Sequence, residues 1–172
     1  MHKWKMGDAW VAAQELRISR WDQSLKPYSL EEFLAYYTPD SGWSMWQAAA
    51  TYKDATGNIR EVLVRIGGQE SWGFVARLSE ESVVLSTLLC CNEASPVLDL
   101  SAVVGFGVDS YIAKRILEYL CGYESSWWEG IPSVGALDLA DRLGLERLLS
   151  AIVRPDVKEE WSTGRNMFIK NI

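Results

Sequence analysis

The sequence predicts an α+β fold in which helices cover a small three-stranded sheet, and three observations support this prediction. Residues 59–66 carry alternating β-branched side chains at positions 62, 64 and 66 and are followed by a glycine turn and a second extended run, the pattern of a β-hairpin. Residues 80–91 and 110–120 repeat aliphatic side chains at helical spacing. Five of the nine tryptophans fall within residues 1–54, which we expect to form a helical extension.

The first helix of this extension is predicted from its N-terminal signals. Ser29 and Glu32 have the spacing of a capping box, in which each side chain satisfies a backbone N–H of the other residue. Tyr28, just before the cap, can pack against Phe33 as a hydrophobic staple. We therefore expect a helix that begins after Ser29 and ends near residue 37.

A second helix is expected over residues 41–50, which would complete a helical hairpin. Trp43, Trp46 and Ala50 would then share one face at helical spacing. These indoles either dock the hairpin against the rest of the protein or form a cradle for a partner or a ligand. The pattern also allows an earlier helix over residues 8–20.

The rest of the chain predicts the order strand, strand, helix, strand, helix, loop, helix, helix. Ser79 and Asp109 are the expected N-caps of two of these helices. The expected strands are 59–66, 71–78 and 96–100, and the expected helices are 80–91, 110–120, 134–142 and 145–153. The polar turn 54–58 is the best candidate boundary. We therefore divide the chain into a tryptophan-rich extension (1–54), a domain (55–155) and a C-terminal tail (156–172).

The composition is that of an ordinary folded protein, with 172 residues, 48% hydrophobic side chains and a formal net charge of -6. No apolar run reaches the roughly 20 residues of a membrane-spanning helix, and the N-terminus lacks the apolar segment of a secretory signal. We therefore expect a cytoplasmic or nuclear protein with no membrane partner. The acidic balance also argues against nucleic acid as a partner, because phosphate binding requires Lys and Arg.

The residue inventory points away from catalysis. The single histidine, His2, lies next to the terminus, so there is no candidate for a positioned imidazole. The three cysteines lack the paired spacing of a metal site, and we expect them to be buried as small hydrophobes. Residues 105–110 begin like a dinucleotide-binding fingerprint, but Ser110 stands where the third glycine is required. We therefore predict a protein that is not an enzyme and that holds no metal or cofactor.

The order of elements over residues 59–153 resembles the BTB/POZ fold, whose superfamily includes the S-phase-kinase-associated adaptors and elongin C. EVLVRIGGQESWGFVARLSEESVVLSTLL resembles the opening hairpin and first core helix of that fold. PVLDLSAVVGFGVDSYIAKRILEYLCGYE resembles its third strand and the next helix, and ALDLADRLGLERLLSAI its closing helix pair. Many BTB domains carry His-Arg after the second strand. Ala76-Arg77 stands there in this chain, which favours the adaptor branch.

The resemblance implies a non-catalytic adaptor or oligomerisation module, which in this superfamily often links a partner to a cullin-type ubiquitin ligase. Interface energy concentrates in aromatic anchors, so Tyr123, Trp127 and Trp128 are candidate partner-binding residues. By analogy with the family, Phe106 is a candidate for the cullin contact. The two adjacent indoles could instead be covered by residues 1–54 of the same chain.

Two other functions stay open. The tryptophan-rich hairpin, with Trp43 and Trp46, could form a pocket for a small molecule or carbohydrate, with or without an enzymatic activity, because aromatic faces stack on sugars and flat ligands. Residues 139–147 also resemble the first half of a DNA-binding helix-turn-helix with its turn at Gly144. Against that function, the helix that would read the DNA offers Glu146, whose charge repels phosphate.

Overall fold

The computed structural model describes residues 14–92, 95–105, 107–122 and 133–150. These residues form helices and two three-stranded sheets, so the α+β class is confirmed. They divide into two compact units: residues 14–62 with 95–96, and the remaining described residues from 63 onward. Among the described residues, no helix combines the length and the apolar character needed to cross a membrane.

The first unit contains an antiparallel sheet with the strand order β2–β1–β3. Its strands are β1 (Leu16–Ile18), β2 (Pro27–Tyr28) and β3 (Ala50–Lys53). The central strand pairs Ile18 with Pro27 on one side and with Ala50 on the other. Residues 16–18 of the helix expected over 8–20 form β1 instead, because they pair with both neighbouring strands and bury Ile18, and residues 8–13 lie outside the described residues. The sequence predicted a purely helical extension, and this prediction is wrong because the first unit also contains a sheet.

Helix α1 (Leu30–Tyr36) begins as the capping box predicts. The side chain of Ser29 accepts the backbone N–H of Glu32, and the carboxylate of Glu32 accepts the backbone N–H of Ser29 at 2.7 Å. The staple is present as well, because the Tyr28 and Phe33 rings meet edge to face with centroids 5.8 Å apart. Both sequence predictions for this helix start are confirmed.

Helix α2 (Pro39–Ala48) begins two residues earlier than predicted. Proline stands in its first turn, where the missing backbone N–H has no partner within the helix in any case. The helix ends at Ala48, and Ala50 belongs to β3, so Ala50 does not share a helical face with the tryptophans. The alanine-rich end of the segment carries good helix formers, but pairing with β1 draws residue 50 into the sheet.

A polar turn over residues 54–58 follows β3. The carboxylate of Asp54 accepts the backbone N–H groups of Thr56 and Asn58 and the Nε–H of Arg60, the last at 2.6 Å. The hydroxyl of Thr56 also donates to it, and this bond is the main reason that the pKa of Asp54 falls to about 2. The turn lies inside the first unit, which extends to Val62.

The second sheet has the order β5–β4–β6, from β4 (Glu61–Ile66), β5 (Gln69–Phe74) and β6 (Val97–Asp99). Gly67 and Gly68 connect β4 to β5 with φ values of +53° and +78°. Positive φ at both turn positions is typical of a tight hairpin, which confirms the predicted chain reversal. The short strand β6 runs parallel to β4, with Val97 opposite Leu63.

The helices of the second unit depart from the sequence prediction over residues 75–82 and at a short helix over residues 101–104, which was not predicted. The predicted strand over 71–78 ends at Phe74, and a helix follows at once. The predicted helix over 80–91 is divided at Ser82, which has an extended backbone and which caps the second of the two helices in place of Ser79. The helices are α3 (Val75–Glu81), α4 (Val83–Cys91), α5 (Ser101–Val104), α6 (Ser110–Leu120) and α7 (Ser133–Arg142), and residues 146–150 are also helical.

The core of the second unit is formed by aliphatic side chains of these helices and of β4. Helix α6 is capped by Asp109 as predicted, and it buries one face at helical spacing: Ile112, Ala113, Ile116, Leu117 and Leu120. In contrast, Cys90 and Cys91 are exposed in the last turn of α4, and Cys121 is half-buried. The expectation of three buried cysteines is therefore wrong for the first two, because only Leu85 of α4 is fully enclosed.

Candidate functional site

Four of the residues that the sequence singles out lie outside the described residues. Tyr123, Trp127 and Trp128 belong to the connection between α6 and α7, and Phe106 to the connection between α5 and α6. Their proposed role in partner binding stays a prediction.

Trp46, a candidate ligand or interface residue, lies in the core of the first unit with only 1% of its surface exposed. Its ring meets that of Phe33 edge to face at 5.1 Å, and the Arg17 guanidinium lies 4.9 Å from its ring centroid. Arg17 also donates to the Trp46 carbonyl at 2.9 Å. The other candidate, Trp43, is half-buried and packs against the same cluster. In this arrangement both indoles help to hold the hairpin together.

A surface pocket of about 420 Å³ opens on the first unit, beside α1 and the loop that connects β1 to β2. Two of its large aromatic side chains project into solvent, with Tyr36 81% and Trp21 62% exposed. Exposed aromatic side chains beside a concave surface with a few polar groups are typical of ligand sites. The lining residues are Ser19, Trp21, Asp22, Ser24, Tyr28, Glu32, Phe33, Tyr36 and Tyr37.

The aromatic walls of the pocket support one another. The buried ring of Phe33 contacts Tyr28 edge to face and lies 5.6 Å from the ring of Tyr37, four residues further along α1. Tyr37 in turn meets Tyr36 edge to face at 5.0 Å. Residues four apart lie on the same side of a helix, so α1 brings Phe33 and Tyr37 together. Tyr36 points away from the core and remains exposed.

The loop between β1 and β2 supplies the polar wall. The Asp22 carboxylate accepts the backbone N–H and the hydroxyl of Ser24, at 2.9 Å and 2.7 Å. The phenol of Tyr28 also donates to Asp22, at 3.2 Å. The hydroxyls of Ser19 and Tyr37 lie 3.4 Å apart. These bonds hold the loop against the aromatic wall.

Both carboxylates of the pocket are ionised at neutral pH. The hydroxyl and backbone N–H of Ser24 lower the pKa of Asp22, and the backbone N–H of Ser29 lowers that of Glu32. Desolvation and the bond to Asp22 raise the pKa of the Tyr28 phenol, which therefore stays neutral. None of the lining residues is Lys or Arg. The pocket thus combines aromatic surface with negative charge.

A polar network in the second unit has a structural role. The Tyr119 phenol donates to the Glu81 carboxylate, whose other oxygen lies 3.6 Å from Arg147. Arg77 donates to the Tyr119 carbonyl at 2.9 Å. Burial, followed by the bond to Glu81, raises the pKa of the Tyr119 phenol. The network joins α3, α6 and the helical segment 146–150, and its bonds serve packing.

Sequence reasoning missed the pocket, although two of its signals are local. The Asp-x-Ser spacing of residues 22–24 is typical of a turn in which the carboxylate accepts local N–H groups. The adjacent Tyr36 and Tyr37 cannot both face the core from one helix turn. Among the described residues, no group of three or more His, Cys, Asp or Glu side chains could hold a metal ion. No family model, curated protein or solved structure matches this chain.

Proposed function

We propose that this protein is a non-catalytic protein–protein interaction module, acting as an adaptor or in oligomerisation, and that its second unit is BTB/POZ-like. The observation that carries the proposal is the order of the second unit: the hairpin β4–β5, the helices α3 and α4, a return of the chain to β6 beside β4, and then α5, α6 and α7. The resemblance in the sequence rests on a similar order, with a single helix in place of α3 and α4 and without α5.

The parallel pairing of β4 with β6 supports this proposal. Parallel neighbours require a long crossover connection, which here consists of β5, α3 and α4. A three-stranded sheet covered by helices in this order is what the resemblance implies for residues 59–153. This sheet, with its parallel pair β4 and β6, distinguishes the second unit from a bundle of helices or a β-barrel.

The placement of titratable groups favours binding over catalysis. Asp99 accepts the backbone N–H of Ser101 at 2.9 Å where α5 begins, and the hydroxyl and N–H of Ser101 lower its pKa. The raised pKa of Tyr119 arises within the packing network described above. These shifted pKa values therefore have structural causes in the second unit.

The proposed partner contact is the connection between α6 and α7, through Tyr123, Trp127 and Trp128. Tryptophan and tyrosine are the residues that most often dominate interface energy. Following the resemblance, the partner is a second copy of the chain or a component of a cullin-type ubiquitin ligase, with Phe106 as the cullin contact.

A double substitution, Trp127→Ala with Trp128→Ala, tests this function. We expect light scattering to show loss of self-association, or pull-down to show loss of the partner, with little change in circular dichroism or in the unfolding midpoint. Phe74→Ala is the matched control, because Phe74 is an aromatic of the second unit that is 56% exposed and outside the proposed contact. Unfolding of the double variant would show that the indoles belong to the core, and unchanged association would remove their assigned role.

We also propose that the first unit binds a small ligand, because its pocket combines exposed aromatic rings with charged groups. The site is formed by Trp21 and the tyrosines of α1, and not by Trp43 and Trp46. Tryptophan fluorescence titrated with a panel of sugars, nucleosides and organic cations tests this function. We expect a response in the wild-type protein that is lost in Trp21→Phe, and a panel without any response would contradict it.

A further inference from the structure

We propose that the pocket of the first unit recognises a methylated ammonium group, carried either by a small organic cation such as choline or by a methylated lysine side chain. The proposal rests on the ligand-binding function proposed above for this unit and adds the chemical class of the ligand. The shape of the aromatic wall, the charge of the pocket and the hydrogen bonds that its carboxylates already accept support this assignment.

The aromatic wall suits a rounded cation. Tyr36 and Tyr37 meet at an interplanar angle of 83°, and Tyr28 stands at 90° to the Phe33 floor. Rings at right angles present faces in different directions, so they can surround a rounded group. A planar base or one side of a sugar stacks best on a single face or between parallel faces. A cation is attracted to the face of Tyr or Trp within about 6 Å of the ring centroid. The volume of about 420 Å³ leaves room for a methylated ammonium and part of its chain.

The charge of the pocket has the sign that a cation requires. Asp22 and Glu32 are both ionised, since hydrogen bonds hold their pKa values below the ordinary range. The lining holds no Lys or Arg, and the ammonium beside it, that of Lys26 over the Tyr28 ring, is outnumbered by the two carboxylates, so a phosphate or carboxylate ligand would be repelled. Apolar flat ligands would gain nothing from these two charges.

Asp22 offers charge more than free hydrogen-bond acceptors. One of its oxygens accepts the Ser24 backbone N–H, and the other accepts the Ser24 hydroxyl and the Tyr28 phenol. Glu32 accepts the Ser29 N–H through one oxygen only. A primary ammonium gains little from the occupied oxygens of Asp22, whereas a quaternary ammonium has no N–H to satisfy and needs only the charge. The preference should therefore increase with methylation.

A lysine of the same unit shows that this wall accommodates positive charge. The Lys26 ammonium lies 5.0 Å from the centroid of the Tyr28 ring. Its charge also lowers the pKa values of Asp22 and Glu32, so its field reaches the pocket. A cationic ligand would feel repulsion from Lys26, and Lys26→Gln should therefore tighten binding.

The test is calorimetric titration of the full chain with four probes. Choline is compared with 3,3-dimethylbutanol, a neutral molecule of the same shape, and a trimethyllysine peptide with the unmethylated peptide of identical sequence. We expect the charged, methylated member of at least one pair to bind about tenfold more tightly than its counterpart. The pair that responds identifies the source of the ammonium group.

Four variants connect the binding to the pocket. We expect Tyr36→Ala to abolish it, Asp22→Asn to weaken it several-fold and Lys26→Gln to strengthen it. Glu31→Gln is the matched control, because Glu31 is an exposed carboxylate of α1 outside the lining, and its removal should have little effect. Circular dichroism checks that each variant is folded, and Tyr36 is exposed enough for its loss to leave the core intact.

Three outcomes would overturn the proposal. Equal binding within both pairs, of choline and its neutral analogue and of the methylated and unmethylated peptides, would exclude recognition of a methylated ammonium. Binding of the sugars of the fluorescence panel but not of either cation, with the signal lost in Tyr36→Ala, would refute the ammonium class while leaving a ligand-binding pocket. No binding of cations or saccharides would refute both the class and the proposed function of the first unit.

Discussion

At the scale of single residues, Trp46 is the largest fully buried side chain among the described residues. It is 1% exposed and contacts both Phe33 and Arg17, while its indole N–H has no hydrogen-bond partner among the described residues. We expect Trp46→Ala to lower the free energy of unfolding by about 3–5 kcal/mol, as for other buried aromatics. Trp46→Phe should cost less, because it keeps most of the ring and removes a buried unpaired donor.

Urea unfolding monitored by circular dichroism measures both changes. Trp21→Ala is the control, since this indole is 62% exposed and its loss should change stability by no more than about 0.5 kcal/mol. Equal effects of the substitutions at 46 and 21 would contradict the placement of Trp46 in the core. The spacing of Trp43 and Trp46 predicts that they share a face, but which ring is enclosed depends on Phe33 and Arg17, and helical periodicity does not contain that information.

The pH dependence of stability should reveal the contribution of the ionised Asp54 carboxylate. Its pKa is about 2 in the folded protein and 3.8 without these contacts. A lowered pKa means that the unfolded chain binds the proton more tightly, so this contribution is complete above about pH 4 and is lost as the pH falls through about 2. Between about pH 4 and pH 2 we expect wild-type stability to fall more steeply than that of Asp54→Asn. Parallel curves in urea titrations over this range would show that the turn does not depend on the charge.

At the scale of elements, the signals that succeeded are those that span a few residues. The capping box at Ser29 and Glu32, the cap at Asp109 and the glycine pair at 67–68 each specify a local geometry that does not depend on distant parts of the chain. The predicted strand over 71–78 extends too far for the opposite reason, since its end at Phe74 depends on distant parts of the chain. Residues 75–78 suit a strand as well as a helix, and packing of Leu78 into the core decides between them.

The predicted cap Ser79 and the observed cap Ser82 allow a test of the same point. The hydroxyl of Ser82 accepts the N–H groups of Val84 and Leu85 and donates to the Leu143 carbonyl at 2.5 Å. We expect Ser82→Ala to cost about 1–3 kcal/mol, because it removes a cap and leaves a buried carbonyl without its partner. Ser79→Ala, within α3, should cost much less. Thermal unfolding of the two variants measures the difference, and a larger effect at position 79 would contradict the division of this helical region.

At the scale of the whole molecule, the order of elements in the second unit could be predicted apart from α3 and α5, but the sheet of the first unit could not. Its strands are only 2–4 residues long, and β1 pairs with β3, which lies more than 30 residues further along the chain. Strands this short have no periodic pattern from which the pairing could be predicted. The pocket was missed for a different reason, since all its lining residues fall within residues 19–37. The loop after β1 folds back so that Asp22 lies beside Tyr28, and no periodic pattern contains that geometry.

The net charge of -6 leads to a prediction about association. If the partner is a second copy held by aromatic anchors, the two acidic chains repel each other while their contact gains little from ion pairs. The range of that repulsion falls from about 30 Å at about 10 mM salt to about 10 Å at about 100 mM. We therefore expect the average mass measured by light scattering at neutral pH to rise with added NaCl. A mass that falls with salt would mean that ion pairs hold the contact, and a monomer at every salt concentration would mean that the partner is a different protein.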